Sequence, residues 1–383
     1  MIPMIAERPF WIQRIEEGWK RRPIVWLSGV RRAGKTTLAH MVSGTIYMNC
    51  DLPSVVRQLE QPEHFYDSLK KGSVVVLDEV HRLEDPSRVL KIAADEYSHL
   101  RVLATGTSTL AATRKFRDSL TGRKYSVYLT PVLWSECSAC FGINDLDHRL
   151  LHGGLPEPLL SSGKNPEFFA EWMDSYYARD IQDLFGIRDR AGFIKLFQLL
   201  LCQSGGLVDY TNLAHLSGLS RLTVKAHLDA LCIAHAAFLL PPFHGGGRRE
   251  IVRRPKCYAF DTGFVTYARG WDSIREDDRG ILWEHVVLDY LRTVLDPARL
   301  HFWRDKSNRE LDFVIRGPAG ASDVVECKYN PDRLDVASFL AFREIYPKGG
   351  NYLVSPLVKT PYTREVRGVR ISYCGFDGLS ELA

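Results

Sequence analysis

The sequence predicts an α/β protein of three domains: a parallel-sheet domain at residues 1–145, a helical and winged-helix domain at 146–272, and a second α/β domain at 273–383. Three observations predict it. Gly29-Val-Arg-Arg-Ala-Gly-Lys-Thr36 fits the octet G-x-x-x-x-G-K-[ST] between a strand-like 23–28 and a helix-like 36–42. Residues 210–231 carry apolar positions at helix-turn-helix spacing, ahead of a loop rich in glycine and arginine. Asp312, Glu326 and Lys328 lie in strand-like segments that follow a helix carrying Glu284.

At 383 residues the chain exceeds what one hydrophobic core serves. Hydrophobic residues at 45% and charged residues at 25% exclude a largely disordered or fibrous chain. A net charge of +4 is too small to imply a polyanionic partner, so local clusters must carry that argument. The eight cysteines lack regular spacing, as expected of free thiols in a reducing cytoplasm. Cys137-Ser-Ala-Cys140 is half of a zinc pattern without a second pair. The start, with Glu7, Arg8 and Pro9, does not read as a signal peptide, and no apolar run approaches the roughly 20 residues of a membrane span. A soluble cytoplasmic protein without a membrane partner is expected.

Taken in order, Trp11, Ile12, Ile15 and Trp19 mark an amphipathic helix over about 1–22. In the octet, Gly29 and Gly34 allow a tight turn and a close approach of backbone to phosphate. Gly29, Val30, Arg31, Arg32, Ala33, Gly34, Lys35, Thr36 and Thr37 are the expected cradle for ATP, whose phosphates meet backbone N–H groups and a helix N-terminus. Lys35 is expected between the β- and γ-phosphates and the Thr36 hydroxyl on Mg²⁺. Ser73-Val-Val-Val-Leu-Asp-Glu79 reads as a strand buried on both faces and ending in two acids, a Walker B segment. Asp78 is the expected metal ligand and Glu79 the residue that orients and deprotonates water. Thr105 ends a further strand and reads equally as a contact to the γ-phosphate water or as part of a polar turn through Ser108. Arg114, Lys115, Arg117 and Arg123 follow, either as a source of an arginine finger or as a solvated basic face.

In the second domain, Phe168, Phe169, Trp172, Tyr176, Tyr177, Ile181, Leu184 and Phe185 form a helical stripe that reads as core rather than as a ligand site. Gly218 marks the turn of the helix-turn-helix and Ser220 the N-cap of its second helix. Gly245-Gly-Gly247 and then Arg248, Arg249, Arg253, Arg254 and Lys256, against Glu250 alone, complete the layout of a winged helix with a basic wing. Such a module contacts phosphates or serves as a packing domain.

In the third domain, alternation on a strand puts Glu326 and Lys328 on one face and Cys327 on the other. With Glu284 and Asp312 they form a set able to hold one or two Mg²⁺ for phosphodiester hydrolysis, with Lys328 orienting or activating water. D…ExK alone is a weak pattern; the helix glutamate and flanking strands strengthen it.

The octet, Leu77-Asp-Glu-Val80, Ala104-Thr-Gly106, Leu120-Thr-Gly-Arg123, Gly153-Gly-Leu-Pro156, Tyr177-Ala-Arg-Asp180, Phe260-Asp-Thr-Gly263, Gly280 to Glu284, Phe302-Trp-Arg304 and Glu326-Cys-Lys328 occur in one order. That order resembles the prokaryotic AAA-type P-loop ATPases whose C-terminal domain of unknown function has a PD-(D/E)xK, restriction-endonuclease-like core. The resemblance implies ATP and Mg²⁺ at Lys35, Thr36 and Asp78, water activation by Glu79, and a sensor or finger role for Thr105 and Arg123. It implies nuclease-type metal binding at Glu284, Asp312 and Glu326 beside Lys328. His81 departs from the glutamine expected after the Walker B acids. Three functions fit: an ATPase that binds nucleic acid, DNA foremost, and cleaves it; an ATP-regulated DNA-binding or scaffolding protein with a silent nuclease-like domain; and a small-molecule kinase, which the Walker B glutamate and the winged helix fit poorly. A homo-oligomer follows only if Arg123 acts on a neighbouring subunit.

Overall fold

The computed structural model describes residues 6–107, 120–245 and 254–382, so Ser108, Arg114, Lys115, Arg117, Arg248, Arg249, Glu250 and Arg253 lie outside the described residues. Strands β1 (Ile24–Ser28), β2 (Thr45–Asn49), β3 (Val74–Asp78), β4 (Arg101–Gly106) and β5 (Lys124–Tyr128) make a parallel sheet in the order β2-β3-β4-β1-β5. Side chains on successive strand residues point to opposite faces. Val25, Leu27, Val74, Val76, Leu103 and Val127 therefore enter one core, with Trp11 and Ile15 of helix Pro9–Arg21. Ile24, Trp26, Val75, Leu77, Val102 and Ala104 enter the other, with helices Pro62–Asp67 and Pro86–Asp95. The C-terminal ends of all five strands share one edge, and the loop after β1 lies there.

The first core runs on without a break into the residues that follow. Phe168, Phe169, Trp172, Tyr176, Tyr177 and Ile181 are buried in it, and Trp172 stacks on Tyr176 and Phe260. Helices Tyr210–Ser217 and Arg221–Ile233 meet across Gly218, whose φ of 76° suits a residue without Cβ, and Ser220 Oγ accepts from Thr223 N at 3.1 Å. Strands β6 (Gly206–Leu207), β7 (Ala237–Leu240) and β8 (Lys256–Ala259) then form a small antiparallel sheet ordered β6-β8-β7.

One buried joint explains two of the sequence motifs. Arg149, fully buried on helix Leu146–His152, donates to Val132 O at 3.1 and 3.0 Å and to Thr262 Oγ1 at 3.1 Å. Its Nη2 lies 3.9 Å from buried Asp289. Asp261 accepts from Gly154 N at 2.6 Å and from Gly263 N at 2.8 Å. Gly153 has a φ of 81°, and a Cβ there would come within 2.0 Å of Asp261 Oδ1. Gly153-Gly-Leu-Pro and Phe260-Asp-Thr-Gly are thus two halves of one contact.

The last sheet has six strands in the order β13-β14-β12-β11-β10-β9: β9 (Leu300–Arg304), β10 (Glu310–Arg316), β11 (Ser322–Cys327), β12 (Asn351–Val354), β13 (Tyr362–Val366) and β14 (Val369–Cys374). It is mixed, with β11, β12 and β14 parallel. Helix Arg279–Val294 covers one face over Phe313, Val325 and Cys327, while Phe339 and Phe342 of helix Ala337–Ile345 cover the other over Leu311, Val314 and Val324. The register of β10 against β9 shifts between Leu311 and Val314, a bulge that breaks the alternation at Asp312. Among the described residues, no helix is long and apolar enough to cross a membrane. None of the eight cysteines is in a disulfide.

Candidate functional site

The loop after β1 turns at Gly29, where a Cβ would sit 2.5 Å from Leu129 O, and at Gly34, whose φ is 97°. Only glycine fits both positions without displacing backbone. Helix Lys35–Met41 begins immediately behind it. Lys35 is buried, and its Nζ donates to Gly29 O at 2.9 Å and Val30 O at 3.0 Å. Burial lowers its pKa, against the opposing pull of Glu79, Asp180 and Asp78. Thr36 Oγ1 donates to Asp78 Oδ2 at 2.9 Å, and Tyr47 OH donates to the same oxygen. Thr105 Oγ1 donates to Asp78 Oδ1 while accepting from Glu79 N at 2.9 Å. Thr105 therefore fixes the backbone of Glu79, which stands in the left-handed region at φ 53°.

The Glu79 carboxylate lines an open cavity of about 520 Å³ with Arg31, Arg32, Gly34, Lys35, Thr36, Thr37 and Thr107. Burial pushes its pKa above the ordinary range, with Lys35 pulling the other way. His81 Nδ1 lies 3.2 Å from Glu79 Oε2, so the residue that departs from the expected glutamine touches the acid directly. The arrangement at Thr36 and Asp78 fits Mg²⁺: the Thr36 hydroxyl lines the cavity with the Asp78 carboxylate bonded directly behind it, and this ion completes its shell with water and substrate phosphates.

Several contributors were not legible beforehand. Arg8 is buried, bonds both oxygens of Glu136 at 2.8 and 2.7 Å and donates to Ala33 O at 3.2 Å, bracing the phosphate loop from behind. Trp172 Nε1 donates to Arg31 O at 3.0 Å. Asp180, in the π-helical segment Tyr177–Gln182, lies 3.7 Å from Arg31, and burial raises its pKa. Pro156, Glu157, Ser175 and Arg179 complete the cavity wall. Asp180 and Arg179 stood in a quoted motif, Tyr47 at a polar strand end; Arg8 carried no local signal.

Arg123 is not brought to this site. It precedes β5 and pairs with Asp95 at 2.6 Å, whereas the loop leaves the opposite end of β1. The two ends are separated by a strand length of roughly 13 Å. Of the two readings of Arg123, a finger in its own subunit is therefore not met by the structure; among the described residues, Arg31, Arg32 and Arg179 are the arginines that line the cavity.

The C-terminal acids are distributed differently from the expectation. Lys328 Nζ is 2.8 Å from Glu326 Oε1, Asp312 N donates to Glu326 Oε2 at 3.4 Å, and Cys327 N donates to Asp312 Oδ2 at 2.8 Å. Burial and the Glu284 carboxylate push Asp312 up to about 7. Burial and Asp312 push Glu326 up to about 8. Glu284, however, is bonded by Tyr258 OH and lies 3.1 Å from Lys256 Nζ. Because Val325 and Cys327 pack under the helix that carries Glu284 and Val324 on the far side, alternation turns Glu326 away from that helix. Among the described residues, no group of three or more His, Cys, Asp or Glu side chains is arranged to hold a metal ion. Glu284, Asp312 and Glu326 do not fit a shared Mg²⁺. The same contacts take Lys256 out of the basic wing, because it is buried against Glu284; Arg254 is exposed and pairs with Asp209 at 2.6 Å, and Arg248, Arg249 and Arg253 lie outside the described residues.

Comparison with known proteins matches residues 21–138 to an AAA domain, 143–275 to a domain of unknown function (DUF8612) and 279–370 to another (DUF4143). The first domain is an AAA-type P-loop domain. Uncharacterized proteins of Mycobacterium tuberculosis and Mycobacterium bovis are each 29% identical over 325 residues, 82% of this chain and 72% of theirs. Among solved structures, a Walker-type ATPase of Pyrococcus abyssi aligns at 15% identity, 69% of this chain and 96% of that one, with a TM-score of 0.45. The RuvB Holliday junction branch migration motor of Thermotoga maritima aligns at 16% identity, 62% and 90% coverage and a TM-score of 0.32. These scores are too low to carry function from those proteins to this one.

Proposed function

We propose that this chain is a Mg²⁺-dependent ATPase that binds DNA through a winged helix at residues 210–259 and whose C-terminal domain, nuclease-like in fold, binds rather than cuts. The observation that carries the reading is the joining of Lys35, Thr36 and Glu79 in the wall of one cavity at the C-terminal edge of the parallel sheet, with Asp78 buried directly behind Thr36 and bonded to it. Thr36 and Asp78 would hold Mg²⁺, which when bound supplies charge neutralisation across the β- and γ-phosphates. Lys35 and the loop N–H groups bind and orient the phosphates; Glu79 takes the proton of the attacking water; Thr105 holds Glu79 in place. Arg123 acts, in this reading, only in the site of a neighbouring subunit. The domain division near residues 145 and 272 belongs to the same proposal.

Support for DNA binding is the outward face of helix Arg221–Ile233, where Arg221, Leu222 and Lys225 are exposed at its N-terminal half, the half that enters a major groove in helix-turn-helix proteins. Replacing Arg221 and Lys225 together by alanine is expected to weaken DNA binding at least about tenfold and to lower the slope of log K against log salt by about two, one per lost phosphate contact. Fluorescence anisotropy across a salt series checks this; an unchanged slope rejects the interface.

The test of the whole reading is plasmid and ATP incubated together with Mg²⁺ and with a chelator. Phosphate release without any added acceptor, abolished by chelation, with plasmid left supercoiled throughout, is the expected result. Nicking lost in Asp312→Asn would replace it with the cleaving alternative. A requirement for an acceptor would favour the kinase.

A further inference from the structure

The C-terminal carboxylates already face a cation, and it belongs to the protein. Lys256, on strand β8 of the small sheet, is only 4% exposed. Its Nζ lies 2.6 Å from Glu310 Oε1 and 3.1 Å from Glu284 Oε1. Tyr258, two residues along and so on the same face of β8, donates its hydroxyl to that same Glu284 oxygen. Arg304 lies 3.3 Å from Glu310 Oε2, and Lys328 Nζ lies 2.8 Å from Glu326 Oε1. Burial opposes the charge on Lys256, but Glu284, Tyr258, Asp312 and Glu310 together hold it well above its ordinary pKa. A buried ammonium survives only where carboxylates surround it, and removing one partner of such a set leaves an uncompensated buried charge.

We infer that Lys256 occupies the cation position of the C-terminal carboxylate group, excluding a divalent ion and latching strand β8 to the C-terminal domain. The inference rests on the reading that this domain does not cut. The physical reason is a conflict of charge and of ligands. A Mg²⁺ ion needs carboxylate oxygens that are free to coordinate in near-octahedral geometry. Glu284 offers one oxygen bound to an ammonium and a phenol, Asp312 one bound to a backbone N–H, and Glu326 two bound to Lys328 and to a backbone N–H. A doubly charged ion at Glu284 and Glu310 would lie against the Lys256 ammonium as well. The latch joins strand β8 to the helix Arg279–Val294 through Lys256 and Glu284.

Mn²⁺ binding by the full chain without nucleotide, counted by electron paramagnetic resonance, tests it. Wild type and Glu284→Gln should bind the same number of ions, because no ion sits at Glu284. Lys256→Met, which keeps the side-chain length and removes the charge, should gain one site that wild type lacks. The double variant Lys256→Met/Glu284→Gln should lose that site again. Circular dichroism establishes that each variant is folded. A wild-type ion lost in Glu284→Gln overturns the inference whether or not any Lys256 variant folds, and a folded Lys256→Met that gains no site overturns it too. Plasmid nicking by wild type would instead sink the reading beneath it, so the two failures are told apart.

Discussion

Glu79→Gln will bind Mg²⁺ and ATP as wild type does and will release phosphate about 10²- to 10⁴-fold more slowly, the range expected for loss of a positioned general base. The substitution is nearly isosteric. The contact that places Glu79 runs from its backbone N–H to Thr105 Oγ1, so the φ of 53° and the aim of the side chain survive the change. Lys35, Thr36 and Asp78 keep their contacts, since none of those contacts involves the Glu79 side chain. What disappears is a carboxylate whose pKa burial has raised, which is a stronger base than an exposed glutamate. The sign of the pH dependence follows: the base form exists only above this raised pKa, so the acid limb of the wild-type rate lies higher than an ordinary glutamate, near 4.3, would give. That limb vanishes in the glutamine variant. Phosphate release and binding of a fluorescent ATP analogue check the two halves separately. A variant that keeps a tenth or more of the wild-type rate removes Glu79 from the role.

The nucleotide site was legible because its chemistry is local. Gly29, Gly34, Lys35 and Thr36 are fixed by one turn and one helix start, and Asp78 is fixed by the end of an apolar strand, so short-range rules reach them all. Lys256 was misread for the complementary reason. In sequence it stands among the arginines of a loop; only the docking of β8 against a helix that starts 23 residues later makes it a buried counter-ion. The bulge at Asp312 shows the same limit on a smaller scale, since period-two alternation predicts a strand face only while the register holds. Arg123 failed through geometry: sequence proximity to Thr105 hid the fact that consecutive parallel strands start at the edge opposite the one where they end. Arg8 reaches Glu136 across 128 residues, a distance at which no pattern operates.

Arg149→Met is the substitution expected to cost most stability, about 3–5 kcal/mol, the range for breaking a buried charge set by removing one partner. The methionine fills much of the same volume, so the loss is chiefly electrostatic. Val132 O and Thr262 lose their donor, and Asp261 and Asp289 are left buried with a diminished positive field. Asp289 gives the effect a pH signature. Burial already pushes it up to about 7 in the folded protein despite Arg149. An acid whose folded pKa is raised above its ordinary 3.8 holds its proton better when folded. Its contribution to stability therefore falls as pH rises between those two values and then levels off. Without Arg149 the folded value climbs further, so stability should go on falling above pH 7, where the wild type has levelled. Adding Asp289→Asn to Arg149→Met removes the stranded charge, and should recover part of the loss and flatten the curve above pH 7. Urea denaturation at pH 6, 7 and 8 measures all three proteins. A loss in Arg149→Met that is equal at every pH and untouched by Asp289→Asn would mean that Arg149 joins the domains by its hydrogen bonds to Val132 and Thr262 alone, with Asp289 a bystander.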